Sequence, residues 1–169
     1  ERNNPPDLDL ARLYRRAGKL DQAASICDAL LARGPNAEII EVAADVFAAQ
    51  GRQAQAEQAL QQLANIEAPP GMREMVLAEH YRKHGQGEDN AAQVAAHYQS
   101  AVGKAGNNPA WWRRYLAYLL PTGSRDDVLK GIAAAHKACP DDEDLTLLQS
   151  NRAALQAAEP WPVVVRVLK

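Results

Sequence analysis

Apolar residues recur along this chain at helical spacing, and glycines and prolines interrupt the pattern at short intervals. Leu145, Leu148 and Leu155 form one such helical face. The spacing predicts nine helices, over residues 7–17, 21–33, 37–50, 53–65, 71–84, 89–104, 109–120, 125–138 and 143–157. Pro121 is expected to end the seventh helix near Leu120, because proline cannot continue the hydrogen-bond ladder. The expected N-terminal caps are Asp21 for the second helix, Ser124 or Arg125 for the eighth, and Asp141 or Asp142 for the ninth.

Four glycines divide the predicted helices into pairs. Gly18, Gly51, Gly85 and Gly123 follow one another at intervals of 33, 34 and 38 residues. A period near 34 residues indicates a stack of helical hairpins rather than a single globular core. Each glycine is expected to end the first helix of a hairpin in the left-handed conformation. The longer third interval is explained by a four-residue insertion at 86–89, outside the stacked interior.

Residues at fixed distances from these glycines repeat as well. Seven positions before them lie small or aliphatic residues, which let a paired helix approach closely: Ala11, Ala44, Ala78 and Leu116. Four positions before them lie larger residues that fill the space between helices: Tyr14, Phe47, Tyr81 and Leu119. Five positions after three of them lie small residues: Ala23, Ala56 and Val128. Past the insertion, Val94, Tyr98 and Ala101 continue the pattern of the third unit.

The pattern resembles the tetratricopeptide repeat over roughly residues 5–140. In the first unit Ala11, Tyr14, Gly18, Ala23 and Pro35 stand at the small, aromatic, glycine, alanine and proline places of that family. The resemblance implies an all-α, right-handed α-solenoid of about four helical hairpins, closed by a C-terminal capping helix at 143–157. The expected domain covers 5–158, with units at about 5–36, 37–70, 71–108 and 109–141. Another α-solenoid of helical pairs is the alternative.

The last segment, 159–169, is apolar and rich in β-branched residues. An extended run is therefore favoured there over a helix. It is interpreted as a junction to a following segment; the alternatives are that it folds back on the last helices or mediates self-association. Because the chain begins at Glu1 without a methionine, we expect a fragment of a longer protein or a processed form.

Composition narrows the classes of partner. The formal net charge is −2, which gives no reason to expect a nucleic acid. No apolar run approaches the length needed for membrane insertion. Cys27 and Cys139 are expected to be buried thiols rather than a disulfide framework. The compartment stays open, with a cytoplasmic location slightly favoured over a periplasmic one.

The sequence contains few residue patterns typical of a catalytic or metal-binding site. His80 and His84 lie one helical turn apart, a workable metal pair, but no third ligand follows at a convincing spacing. They are therefore interpreted as exposed or interhelical histidines. The acidic residues at 141–144 lack calcium-loop spacing and suit a helix N-terminus. Catalytic serine, phosphate-loop and dinucleotide motifs are missing from the sequence. We expect no enzyme activity, no metal and no cofactor.

In the tetratricopeptide family, the first helix of each hairpin lines a concave groove that binds a partner. The residues there that avoid the packing positions are the candidates for contact: Arg12, Arg15, Arg16, Glu38, Glu41, Asp45, Glu79, Arg82, Lys83 and Arg113, with Leu8 and Met75 among the apolar ones. Trp111 is either an exposed interface anchor or packs on the hairpin before it. The resemblance implies a non-enzymatic scaffold that binds a peptide or protein, as one module of a larger protein. The alternatives are a structural or self-association spacer, or the accessory domain of an enzyme.

Overall fold

A computed structural model describes residues 6–151, and every regular element in that range is a helix. The helices are α1 (Pro6–Arg16), α2 (Leu20–Arg33), α3 (Ala37–Ala49), α4 (Gln53–Gln61) with a short 3-10 helix (Gln62–Ala64), α5 (Met72–His84), α6 (Asn90–Lys104), α7 (Pro109–Thr122), α8 (Arg125–Ala138) and α9 (Glu143–Ser150). The all-α prediction is confirmed for this range. The end of the predicted capping helix and the segment 159–169 lie outside the described residues.

Side-chain caps begin several of the helices. Ser124 accepts the backbone N–H of Asp127 at 3.2 Å, and the Asp127 carboxylate accepts the backbone N–H of Ser124 at 3.1 Å, forming a capping box. Asp142 caps α9 by accepting the N–H of Leu145 at 3.1 Å. Both positions agree with the sequence prediction. The prediction for Asp21 is wrong, because α2 begins at Leu20 and Asp21 lies inside its first turn, where its charge favours the helix dipole.

The four glycines of the period differ in conformation. Gly18 and Gly51 have φ values of 71° and 75°, so they end α1 and α3 in the predicted left-handed region. Gly85 and Gly123 have φ values of −67° and −86° with extended ψ, so the prediction is wrong for them. The N–H of each still returns to the helix, at Tyr81 O and Leu119 O respectively.

Helix α7 continues past the point where the sequence predicts its end. Pro121 lies inside the helix, which runs to Thr122. A proline in the last turn removes only one backbone hydrogen bond of the ladder. The Thr122 hydroxyl donates to the Tyr118 carbonyl oxygen at 2.6 Å, which adds a hydrogen bond at the same turn. The predicted stop near Leu120 is therefore wrong by two residues.

The chain divides into two compact units, with the boundary inside α6 between His97 and Tyr98. In the first unit α1 pairs with α2 and α3 pairs with α4, while α3 also contacts α1 and α5. Helices α1, α3 and α5, which begin the first three predicted hairpins, thus follow one another in a row, with α3 in contact with both others. The predicted packing positions are closed to solvent: Ala11, Ala44, Ala78, Ala23 and Ala56 are at most 1% exposed.

In the second unit α8 contacts both α7 and α9. Tyr98 stacks on Tyr115 and Tyr118 of α7, with ring centroids 5.9 and 5.1 Å apart. The Trp112 indole N–H donates to the Gly106 carbonyl oxygen at 2.7 Å, which fixes the position of this buried ring. Aromatic stacking and close helix packing together form the core of this unit.

The structure describes both cysteine thiols and the length and polarity of the helices. Cys27 and Cys139 are both free and buried, as predicted. Within residues 6–151, the helices are all too short or too polar to cross a bilayer.

Candidate functional site

Four charged or titratable side chains meet around Asp45, and we call them the Asp45 cluster: Arg15, Asp45, Lys83 and His84. Arg15 Nη2 lies 2.7 Å from one carboxylate oxygen of Asp45, and Lys83 Nζ lies 3.8 Å from the same oxygen. His84 Nε2 lies 2.6 Å from the other oxygen. One residue comes from α1, one from α3 and two from α5. The cluster therefore joins the first helices of three successive hairpins.

The positions of these four residues along their helices explain why their side chains lie together. Asp45 lies on α3, between α1 and α5, and is 8% exposed. A buried carboxylate requires hydrogen-bonded, oppositely charged partners, since leaving it alone costs several kcal/mol. Arg15 lies in the last turn of α1, and Lys83 and His84 lie in the last turn of α5. Cations there also favour the negative end of each helix dipole.

His84 is the member of the cluster that the candidate groove residues did not include. It is one residue from Gly85, a position that the repeat pattern leaves unassigned. Its imidazole also faces His80, one turn earlier, with ring centroids 5.2 Å apart. His80 is 9% exposed, and burial, together with the neighbouring His84, lowers the pKa of His80 to about 4. His80 is therefore neutral at physiological pH.

The other candidates of the first unit lie apart from the cluster. Arg12 pairs with Asp9, and Arg82 pairs with Glu79, each over three residues of its own helix. Pairs with at least one solvent-exposed partner, such as these, typically contribute about 1 kcal/mol or less each. Among residues 6–151, the remaining candidates form no ion pair: Arg16, Glu38 and Glu41.

Two apolar candidates are not available to a partner. Leu8 and Met75 are each 0% exposed, so their side chains belong to the core. The expectation that they line the surface is wrong, because apolar side chains gain more by packing between helices than by facing solvent.

Two candidates lie in the second unit. Arg113 Nη1 is 2.9 Å from an oxygen of Asp142 and 3.3 Å from Asp144, so it binds the first turn of α9. Trp111 is only 6% exposed, with the Arg114 guanidinium 5.6 Å from its ring centroid. The alternative in which Trp111 packs inside the protein fits this burial, and the exposed anchor does not.

The described residues offer little to a metal ion. Residues 6–151 contain no group of three or more histidines, cysteines, aspartates or glutamates placed to hold one. The pair His80 and His84 thus lacks a third protein ligand there. His84 is instead engaged with Asp45.

Comparisons with known proteins yield a structural likeness alone. No family model matches the chain, and no curated protein matches it. Among solved structures, the chain is similar to the crystal structure of YrrB, described as a TPR protein with an unusual peptide-binding site. The identity is 17% and the TM-score is 0.47, over 96% of this chain and 81% of that one. The tetratricopeptide resemblance of this chain is carried by its own repeated residues, and the helix pairs α1–α2, α3–α4 and α7–α8 agree with it.

Proposed function

We propose that this chain is a non-enzymatic interaction module that binds a peptide or protein segment along the row of α1, α3 and α5. The Asp45 cluster carries the proposal. Side chains singled out in three separate repeat units, Arg15, Asp45 and Lys83, come together at one place on that row. A rigid row of helices presents such residues in fixed positions, which lowers the entropic cost of binding an extended partner.

The charges along this row of helices indicate which charged residues the bound segment would contain. Within the Asp45 cluster two basic side chains, Arg15 and Lys83, meet one carboxylate, which leaves an excess of positive charge. Arg16, exposed at the end of α1, adds to it. Glu38 and Glu41 make the first half of α3 acidic. We therefore infer a segment with an acidic residue opposite the cluster and a basic residue opposite Glu41.

Selection from a random peptide library displayed on phage tests this proposal. The bait is the whole chain, and the selected peptides are then measured against Arg16→Glu and Glu41→Lys. These two residues have no ion-pair partner among residues 6–151, so reversing them leaves the internal ion pairs of the fold intact. The matched control is Glu67→Lys, which reverses an exposed carboxylate outside α1, α3 and α5.

The expected result is that peptide affinity falls at least about tenfold in both variants and stays unchanged in the control, as for loss of close charge pairs. Peptides that bind all three variants equally would show that the row of first helices is not the binding surface. Far-ultraviolet circular dichroism of each variant confirms that the helices are retained.

A further inference from the structure

A pocket of about 300 Å³ lies among α4, α5 and the start of α6, within the first unit. Its polar and aromatic side chains come from all three helices: Glu57, His80, Tyr81, His84, Asn90 and Gln93. Only His84 also belongs to the Asp45 cluster. The pocket therefore differs from the Asp45 cluster, although its lining residues His80, Tyr81 and His84 lie on α5, one of the helices of the proposed binding row.

Three of the hydrogen-bond acceptors that line the pocket, each without a donor among residues 6–151, indicate what an occupant would supply. The side-chain oxygen of Asn90 is buried and has no hydrogen-bond partner in the described part of the chain. The His80 imidazole, nine-tenths buried, forms no hydrogen bond within residues 6–151, and its neutral form offers one ring nitrogen as an acceptor. The Glu57 carboxylate, at the exposed side, has no ion-pair partner in the same range. A buried acceptor without a donor, here the Asn90 oxygen, favours an occupant that supplies N–H or O–H donors.

The charges around the pocket favour a cation. Glu57 is the carboxylate among the lining residues, and neither lysine nor arginine lines the pocket within the described part of the chain. Glu88 and Asp89 precede Asn90 in the adjoining loop and add negative charge at the same end. This excess of carboxylates opposes an anion at the N-terminus of α6.

The geometry of the hydrogen-bond donors that different cations carry indicates which class of cation fits the pocket. A guanidinium group is planar and carries five N–H donors in a fixed fork, whereas an ammonium is a compact point charge. Three acceptors on different helices, together with the flat rings of His80 and Tyr81, match the planar group. We propose that this pocket binds a guanidinium group, with Glu57 as its counter-charge and with Asn90 and His80 accepting N–H donors.

Titration of the whole chain with small molecules, followed by ¹H–¹⁵N NMR, tests the proposal. Nα-acetyl-L-arginine amide represents an arginine residue of a peptide, and agmatine represents a free guanidine. Nα-acetyl-L-citrulline amide is the control, since its urea group has nearly the same shape without the charge. Glu57→Gln removes the counter-charge at an exposed position, and Glu67→Gln is its matched control.

We expect saturable shifts confined to the residues of the pocket, with the arginine amide binding at least about tenfold more tightly than the citrulline amide. Glu57→Gln should reduce that preference and Glu67→Gln should keep it. A preference for agmatine over the arginine amide would assign the site to a free small molecule, and the reverse would assign it to a peptide side chain. Equal binding of arginine and citrulline amides, or shifts spread away from the pocket, would overturn the inference. Glu57 lies on α4, outside the row of α1, α3 and α5, so its substitution tests the pocket separately from the Arg16 and Glu41 variants of the peptide selection.

Discussion

Acidification from pH 7 to pH 5 is expected to weaken the unit that contains His80. Burial, and then the neighbouring His84, lowers the pKa of His80 from 6.5 to about 4 in the folded chain. In the unfolded chain the imidazole regains its ordinary pKa, so the unfolded state binds a proton that the folded state excludes. This contribution to stability is present above pH 6.5 and is lost as the pH falls from 6.5 towards 4.

The size of the effect follows from the two pKa values. At pH 5 the imidazole of the unfolded chain is protonated in a ratio of about 30 to 1, while that of the folded chain is protonated in a ratio of about 1 to 10. The free energy of unfolding therefore falls by RT times the logarithm of about 30, which is about 2 kcal/mol. That is a large share of the 5–15 kcal/mol or so typical of a folded domain. Burial also lowers the pKa of His97, which acts in the same direction.

Urea unfolding at pH 7, 6 and 5, followed by circular dichroism at 222 nm, measures this loss. Trp111 and Trp112 are buried in the second unit, so their fluorescence follows the unfolding of that unit separately from the first. His80→Leu removes the titrating group and should flatten the pH dependence, whereas His136→Gln should retain it. If wild type unfolds at the same urea concentration at pH 7 and pH 5, or if His80→Leu keeps the full slope, the reasoning about His80 is refuted.

Three further outcomes test local packing and chemistry. In thermal melts, Gly85→Ala should lower stability by about 1–3 kcal/mol, since a Cβ there lies 2.5 Å from the Tyr81 carbonyl oxygen. Its control, Gly103→Ala, lies inside α6 with open space around it and should be neutral or stabilising. Ser124→Ala removes the capping box of α8 and should cost about 1 kcal/mol in urea unfolding. Burial raises the pKa of Cys27 to about 12, so at pH 8 its thiol should resist a disulfide reagent until the chain is unfolded, as peptide mapping by mass spectrometry would reveal.

The packing of the hairpins could be predicted from the sequence because each packing residue repeats. Ala11, Ala44 and Ala78 occupy one position in successive units, and all three are buried. The repeat places each packing residue at a set distance from its glycine, and the helical period then determines on which face of its helix the residue lies. The conformations of Gly85 and Gly123 could not be found in this way, because glycine adopts both left-handed and extended backbone, and the sequence does not distinguish them.

The candidate site could be predicted only in part, since its contacts join helices of different units. Arg15, Asp45 and Lys83 were singled out because they avoid the packing positions, yet their meeting at one carboxylate depends on how α1, α3 and α5 lie beside one another. His84 lies beside Gly85 and carries no repeat signal, so its contact with Asp45 was missed. Periodicity describes one helix at a time, whereas an ion pair depends on two.

Asp45 has consequences for any binding experiment on this protein. Removing its carboxylate leaves Arg15 and Lys83, whose side chains are 34% and 33% exposed, without their shared counter-charge, and the loss of this buried partner is expected to destabilise the fold. A loss of binding in Asp45→Asn would therefore mix a loss of structure with a loss of contact. Arg16 and Glu41 lie on the same helices and form no ion pair among residues 6–151, so their reversal perturbs the surface without opening the interior. The binding role proposed for the row of first helices can thus be tested separately from its structural role at these two positions and not at Asp45.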